Sequence, residues 1–482
     1  MINFFISSLL FVFMALGCKA EYVPKPKAEI DVEKQLNDTL SGLSIQVDAN
    51  FAYYKNRSNE SIADEIVLAG YKTVRYLVLN ESNVNAGLIQ AFHKRGMKVW
   101  LQASGSVTYE TNGYPTDWPS WKMELNNSVN GKNGYIFLSP FNKSFVKWKK
   151  ESLARLMVTY PFDGVELTEP YFPEWDAIKK GTYGDVGPNA QLAFKSEYGL
   201  DMPEFNNPEA ANYYKKNPEI YKKWMDCRVN AVNEYLNEVV NGTGGIREVR
   251  PDALVATWSL GIDAGKNSVS LLREYQGLDG AAMVKLVKPD IHFIQTHWPD
   301  WVKSSTQLPP DYMKHYKSFV DEIKEIAPDV KIGLQGDIGS GKEMIKSGNW
   351  VADCEKAAFK HGFSATTFYE YHIGGYMYTE PPVLKKAIRK GTDNIILSFS
   401  KRIDANSAAG KSNYQFRKDG KLISLNIENI RVDGNMVILE AIKLPVGKFE
   451  IMVRNLKDTP ELWLFKGYPA LELANQTKMI IE

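Results

Sequence analysis

Three acidic side chains stand at or near the ends of short apolar runs that are far apart in the chain. Glu169 follows Phe162-Asp163-Gly164-Val165-Glu166-Leu167-Thr168, Asp337 follows Gly333-Leu334-Gln335-Gly336, and Glu370 follows Phe368-Tyr369. Cleaving a glycosidic bond requires two carboxyl groups flanking it, one to protonate the leaving oxygen and one to attack or to activate water. Glu169 is the candidate acid, and Asp337 and Glu370 are equal alternatives for its partner, since neighbours on one strand cannot straddle such a bond. The same runs carry polar and aromatic groups suited to holding a sugar: Glu166, Trp258, Gln335 and Tyr369, then His297 with Trp298, and His372. His297 and His372 can also act as an acid–base pair. Asp48, Asn50, Asn80, Glu81, Gln102, Ser104 and Asp263 are further groups placed to bind hydroxyls.

Composition narrows the chemistry. The chain has 482 residues with 58 Lys+Arg against 57 Asp+Glu, a net charge of +1 that gives no electrostatic footprint for nucleic acid. Hydrophobic residues at 44% and charged residues at 24% exclude disorder as the main state. Three Cys cannot make a disulfide framework, and Cys227 and Cys354, in helical patterns, are expected to be buried thiols. No His-x-x-x-His or Cys-x-x-Cys spacing occurs, so no metal and no cofactor is expected. Aromatics at 12%, with 11 Trp and 25 Tyr, suit the flat faces of sugar rings.

The elements that must position these groups alternate from residue 43 to 390. Strand-like runs at Leu43–Val47, Thr73–Leu79, Lys98–Gln102, Asp163–Leu167, Leu254–Ser259, Asp290–Thr296, Lys331–Gln335 and Ala365–Tyr371 are separated by amphipathic helical stretches. One of these places Phe145, Trp148, Ser152 and Leu156 on a single face. Eight such units predict an α/β fold, a closed (β/α)8 barrel whose chemistry lies at the C-terminal strand ends. An open doubly wound sheet competes less well, because no Gly-rich phosphate loop follows the first strand. On the fourth strand, alternation turns Glu166 and Thr168 inward and leaves Glu169 at the rim. The insertion from Tyr171 to about Asn217, carrying Trp175, Tyr183, Phe194, Tyr198 and Tyr213–Tyr214, is placed to roof the cleft.

The Glu169-Pro170 pair after a parallel strand resembles the Asn-Glu-Pro of barrel glycoside hydrolases, with Thr168 in place of the Asn. The resemblance implies that Glu169 is the acid/base. Those enzymes often carry a Glu nucleophile at the end of strand seven, where this chain has Asp337. The Asp163-Gly164-Val165-Glu166 stretch also looks like the fourth strand of chitinase-type barrels, but Pro170 stands at their catalytic Glu.

The two ends of the chain read differently. Residues 391–482 switch to strand-like runs, Ile395–Lys401, Leu422–Ile427, Asn435–Leu439 and Lys448–Val453, with turns at Asp419-Gly420 and Asp433-Gly434. They predict a small β-sandwich that resembles bacterial Ig-like modules, acting as a spacer or brace or else binding sugar. At the other end, the apolar run Ile2–Leu16 is too short to span a bilayer and reads as a signal peptide over residues 1–17. Ala15-Leu16-Gly17-Cys18 resembles a bacterial lipoprotein cleavage box, which implies lipid on Cys18 and a linker over residues 18–42. That places the protein on the cell envelope, at the outer membrane or surface, with periplasmic or secreted forms as the alternative.

The leading expectation is therefore a glycoside hydrolase of polysaccharide breakdown whose partners are an oligosaccharide or polysaccharide and, through Cys18, a membrane. The enzymatic alternative is elimination on a uronic acid residue by Tyr369, His372 and His297, with Arg75 or Lys342 facing the sugar carboxylate. A non-catalytic glycan-binding lipoprotein is the third reading.

Overall fold

Eight parallel strands close into a ring. The computed structural model describes residues 40–132, 134–173, 177–441, 443–474 and 477–482. The expected signal peptide and Cys18, with all but the last few residues of the linker, lie outside the described residues, as does Trp175. The barrel strands are β1 Gly42–Val47, β2 Thr73–Val78, β3 Lys98–Ser104, β4 Gly164–Thr168, β5 Leu254–Leu260, β6 Ile291–Gln295, β7 Lys331–Asp337 and β8 Ala365–Tyr369. They pair in chain order, and β8 returns to β1 through Gly42↔Ala365 and Ile45↔Phe368. Helices cover the outer face, so strands such as Thr-Val-Arg-Tyr-Leu-Val of β2 are buried along their whole length. Side-chain caps fix several helix starts: Asn85, Asn142 and Asp279 accept from the amides of Leu88, Phe145 and Ala282. Helix Lys143–Thr159 buries Phe145, Ser152 and Leu156 as its periodicity predicts, while Trp148 is half-buried against Trp121.

The strand ends differ from expectation where the site lies. β7 continues to Asp337, whereas β8 stops at Tyr369, and Tyr371–Ile373 form a 3-10 turn. Asp163 falls at the opposite end of the barrel from the rim, accepting from Val99 N–H and pairing with Lys98 and His93. The barrel interior is not wholly apolar. Arg75 of β2 meets Glu166 of β4 at 3.2 Å, with its guanidinium over the rings of Trp100 at 4.2 Å and Phe293 at 4.5 Å. Glycines make room for those rings, since a Cβ at Gly164 would lie 2.7 Å from Trp100 and one at Gly333 would lie 2.3 Å from Phe293.

The all-β unit begins at Leu384 rather than at residue 391. Strand β9 Leu384–Lys390 pairs with β10 Asn394–Phe399, and with β13 Ile427–Asp433 and β14 Met436–Ala441 they form an antiparallel sheet ordered β9-β10-β14-β13. The second sheet is β12-β11-β15-β16, from β11 Tyr414–Lys418, β12 Lys421–Ile423, β15 Phe449–Val453 and β16 Thr477–Ile481. Leu397, Phe399 and Leu439 of one sheet and Phe416, Ile451 and Val453 of the other share a single core. The expected strand Leu422–Ile427 is broken, because residues 424–426 carry the chain from one sheet to the other. Asp419 and Gly420 both take positive φ, 50° and 74°, as a two-residue hairpin turn requires.

This unit is bolted to the loop after β1. Arg402 donates to the carbonyls of Tyr53 at 2.6 Å and Lys55 at 2.8 Å, while Arg57 reaches Asn435 at 3.0 Å and Ser58 N–H reaches Asp433 at 2.7 Å.

Candidate active site

The rim of the C-terminal strand ends is built from two loops the sequence marked and one it did not. Glu169 follows β4 directly, in the left-handed region at φ 53°, so the chain turns sharply as it leaves the strand. Its carbonyl accepts from Ser106 N–H at 3.2 Å and Ser106 Oγ at 3.3 Å, fastening it to the loop after β3. The side chain is part-buried. Burial pushes the Glu169 carboxyl up to about 7, against a hydrogen bond with Tyr171 that pulls it down. Near neutrality it is then a proton donor rather than a fixed charge.

Asp337, the last residue of β7, is 7% exposed. Gly339 and Ser340 both donate their backbone N–H to its Oδ1 at 2.8 Å. Burial raises its proton affinity, and these bonds with the Lys346 ammonium oppose the rise. Lys346 is itself buried, donating to the carbonyls of Trp301, Lys303 and Met344 at 2.8–3.1 Å, and burial lowers it to about 8. It ties the loop after β6 to the one after β7 beside the Asp337 carboxylate. Asp48 at the end of β1 is a third rim carboxyl, likewise raised by burial, with Oδ1 accepting from Asn50 N–H at 2.9 Å. Tyr369 lies within electrostatic reach of both Asp48 and Asp337, and burial with those charges raises its hydroxyl. Asp337, Tyr369 and Asp48 thus stand at or just beyond the C-terminal ends of β7, β8 and β1, on the rim that also carries Glu169 after β4.

Glu370 does not join that arc. It is fully buried and accepts from His372 N–H at 2.7 Å, Asp48 N–H at 3.2 Å, Tyr54 hydroxyl at 3.1 Å and the His372 ring. His372 is buried too, stacked on Tyr53 at 5.6 Å and against Phe51 at 4.4 Å, and burial holds its pKa down at about 3. The end of β8 after Tyr369 turns inward, so Glu370 and His372, both expected at the rim, are buried and hydrogen-bonded within the fold. Glu166 is likewise held inside the barrel by Arg75, and Trp258 is fully buried, its ring 5.9 Å from Tyr171. Gln335 is nearly buried and bonds Gln295 at 3.0 Å.

The loop after β6 keeps an open edge. His297 is half-buried with its pKa lowered to about 4 by burial, so it is neutral near pH 7, and Trp298 beside it is 54% exposed. Of the outlying hydroxyl-binding candidates, Asp263 pairs with His315 on the surface and Glu81 is buried against Lys149. Among the described residues no cluster of His, Cys, Asp and Glu is arranged to hold a metal ion.

No protein-family model and no curated protein matches this chain. Solved structures do. It is similar to the PgaB (BpsB) glycoside hydrolase domain from Bordetella bronchiseptica, at 14% identity and a TM-score of 0.48 over 68% of this chain and 94% of that one. It is similar to the β-galactosidase from Marinomonas ef1, at 12% identity and 0.49 over 68% and 54%. The endo-β-1,4-mannanase from Thermotoga petrophila aligns at 12% identity and 0.38 over 92% and 100%.

The rim residues that sequence reasoning missed are Tyr109 and Tyr135. They belong to the long connection between β3 and helix Lys143–Thr159, where Val107 pairs with Phe137 and Thr108 with Ile136. The tyrosines flank that short ladder, with ring centroids 5.9 Å apart, and both lie within electrostatic reach of Glu169. The length of the connection was the available signal. By contrast, the insertion after β4 expected to roof the cleft builds its own core: Tyr183, Phe194 and Phe205 pack with Trp224 and Cys227 at the start of helix Pro218–Asn241. Arg228 pins it from below, lying over Phe172 and Tyr183 at 4.5 Å each and donating to Gly184 O at 2.9 Å.

Proposed function

We propose that this protein is a glycoside hydrolase acting on oligosaccharides. The observation that carries the reading is the Glu169 carboxyl, pushed up to about 7 by burial just beyond the C-terminal end of β4, on the same rim as Asp337 at the end of β7. Glu169 protonates the oxygen that leaves as the glycosidic C–O bond breaks, while Asp337 supplies the second carboxyl, so that one water is added across the bond. Asp48 and Tyr369 hold the reacting ring from the neighbouring strand ends. Elimination on a uronate has less support, because the cations it would use are engaged elsewhere: Arg75 with Glu166 inside the barrel, and Lys342 over the Phe465 ring at 5.9 Å.

Incubation with neutral and acidic polysaccharide fragments, read by mass spectrometry, tests the reading. Products heavier by one water per cleavage support it, and loss of turnover in Glu169→Gln ties them to this site. Products that absorb ultraviolet light as unsaturated sugars, or binding with no turnover, would replace it with the lyase or the glycan-binding reading. Lipid anchoring at Cys18 belongs to the same proposal and places the enzyme on the cell envelope.

A further inference from the structure

We infer that Lys346 is a positioning residue for the reaction: its buried ammonium fixes the loop that carries Asp337 and holds that carboxyl as the anion, leaving Glu169 as the proton donor. The inference rests on the hydrolase reading and extends it. Lys346 is 0% exposed and stands where three rim loops meet. Its amide donates to Ile338 O at 3.0 Å, next to Asp337, and its carbonyl accepts from Gly375 N–H at 2.7 Å in the segment after β8. Its ammonium donates to the carbonyls of Trp301, Lys303 and Met344, the first two on the loop after β6 that carries His297 and Trp298. Those three bonds use all the donors an ammonium has, and none of the acceptors is a carboxylate. The charge is therefore not cancelled by its own hydrogen bonds. Among the described residues, Asp337 is the one ionisable group that acts on it. A buried cation costs stability that an apolar side chain of similar length would not, so its effect on Asp337 is what the arrangement gains. From β8, Tyr369 also faces Asp337, but burial and the nearby acids keep its hydroxyl protonated and uncharged. Glu169 answers only to burial and to Tyr171. One carboxyl is thus supported by two amides and an ammonium while the other lacks any cation, the asymmetry that separates a nucleophile or base from an acid.

The test reads the two carboxyls apart by pH. Cellotetraose, mannotetraose, chitotetraose and tetragalacturonate are offered to wild type, and the sugar that is cleaved serves for a pH series of kcat/KM, which reports groups of the free enzyme. In Lys346→Met the acid limb, where Asp337 takes up its proton, should move up by about one pH unit, because a neighbouring opposite charge lowers a carboxyl by roughly 1–3. The limb near 7 that belongs to Glu169 should stay in place. Lys346→Arg keeps the charge and should hold the acid limb where wild type has it, whatever its rate. A residue that only braced the loop would lower the rate by one factor at every pH, and that result overturns the inference. Coupling between two sites is reciprocal, which allows a check with Lys346 left intact. In wild type its ammonium titrates at about 8, apart from ordinary lysines, and its ε-carbon NMR signal follows that titration. In Asp337→Asn the midpoint should fall by about one pH unit, with the lost anion. An unmoved midpoint overturns the inference even if Lys346→Met does not fold. The hydrolase reading fails separately, either if wild type cleaves none of these sugars or if Glu169→Gln leaves the rate intact, and the midpoint still reads the coupling in both cases.

Discussion

The two sides of the barrel mouth hold carboxyl groups in opposite ways. On the β1/β8 side, Glu370 is sealed from solvent and surrounded by donors from His372, Tyr54 and Asp48, and the loop that supplies Tyr53 and Tyr54 is clamped by Arg402 of the all-β unit. On the β3/β4 side, Glu169 keeps contact with solvent, has few partners and borders two open tyrosines. A buried carboxyl whose oxygens are taken up by donors of the fold has none left for a substrate. One that is desolvated and under-bonded holds its proton near neutrality and can give it away. The difference teaches that strand-end position alone does not distinguish a carboxyl that can give up a proton from one tied into the fold; burial and donors together do.

The comparison is broken most directly at Glu169. Glu169→Gln should lower kcat on an oligosaccharide about 10³-fold, within the range of general acid catalysis, while sparing affinity measured by calorimetry. Asp337→Asn should cost about 10²-fold or more in the same assay, and equal activity to wild type would remove it from the chemistry. Glu370→Ala should act first on the fold: stranding its buried donors costs about 3 kcal/mol in urea unfolding, the effect that most sharply separates the two sides. Arg402→Ala, which strands two carbonyls of the β1 loop, should cost about 2 kcal/mol and lower kcat severalfold through the displaced Asp48 arc.

A pH series gives the finest resolution. Activity needs Glu169 protonated, so kcat/KM should fall as pH rises through about 7. The stability sign is the same: the folded pKa exceeds the unfolded one, so this contribution is full below the ordinary carboxyl range and is lost as pH rises through about 7. Glu169→Gln, neutral throughout, should therefore be more stable than wild type at pH 8 and close to it at pH 4, as read by thermal unfolding.

Much of the barrel was legible because its signals are local and repeat. Buried parallel strands read as apolar runs, helix ends carry caps, and the rim position of Glu169 and Asp337 follows from alternation along a strand. What was not legible depends on partners remote in sequence. Glu370 and Asp337 look alike in the chain; only the turn Tyr371–Ile373 and the approach of Tyr54 seal the first completely. Tyr109 and Tyr135 are 26 positions apart in a connection without periodicity, and only the Val107–Phe137 ladder brings them together. Leu384–Lys390 alternates weakly, with mostly exposed lysines and arginine, and declares itself as a strand only by pairing with Asn394–Phe399.

The clasp of Arg402 on Tyr53 and Lys55 also has a consequence in time. During synthesis the ring of strands can close once β8 has emerged, yet the residue that locks the β1 loop is made later, and its own domain must fold before it is presented. A chain cut short before Arg402 would hold a finished ring and an unlatched entrance. The loop after β1 would then take its final place only once the all-β unit that carries Arg402 has folded.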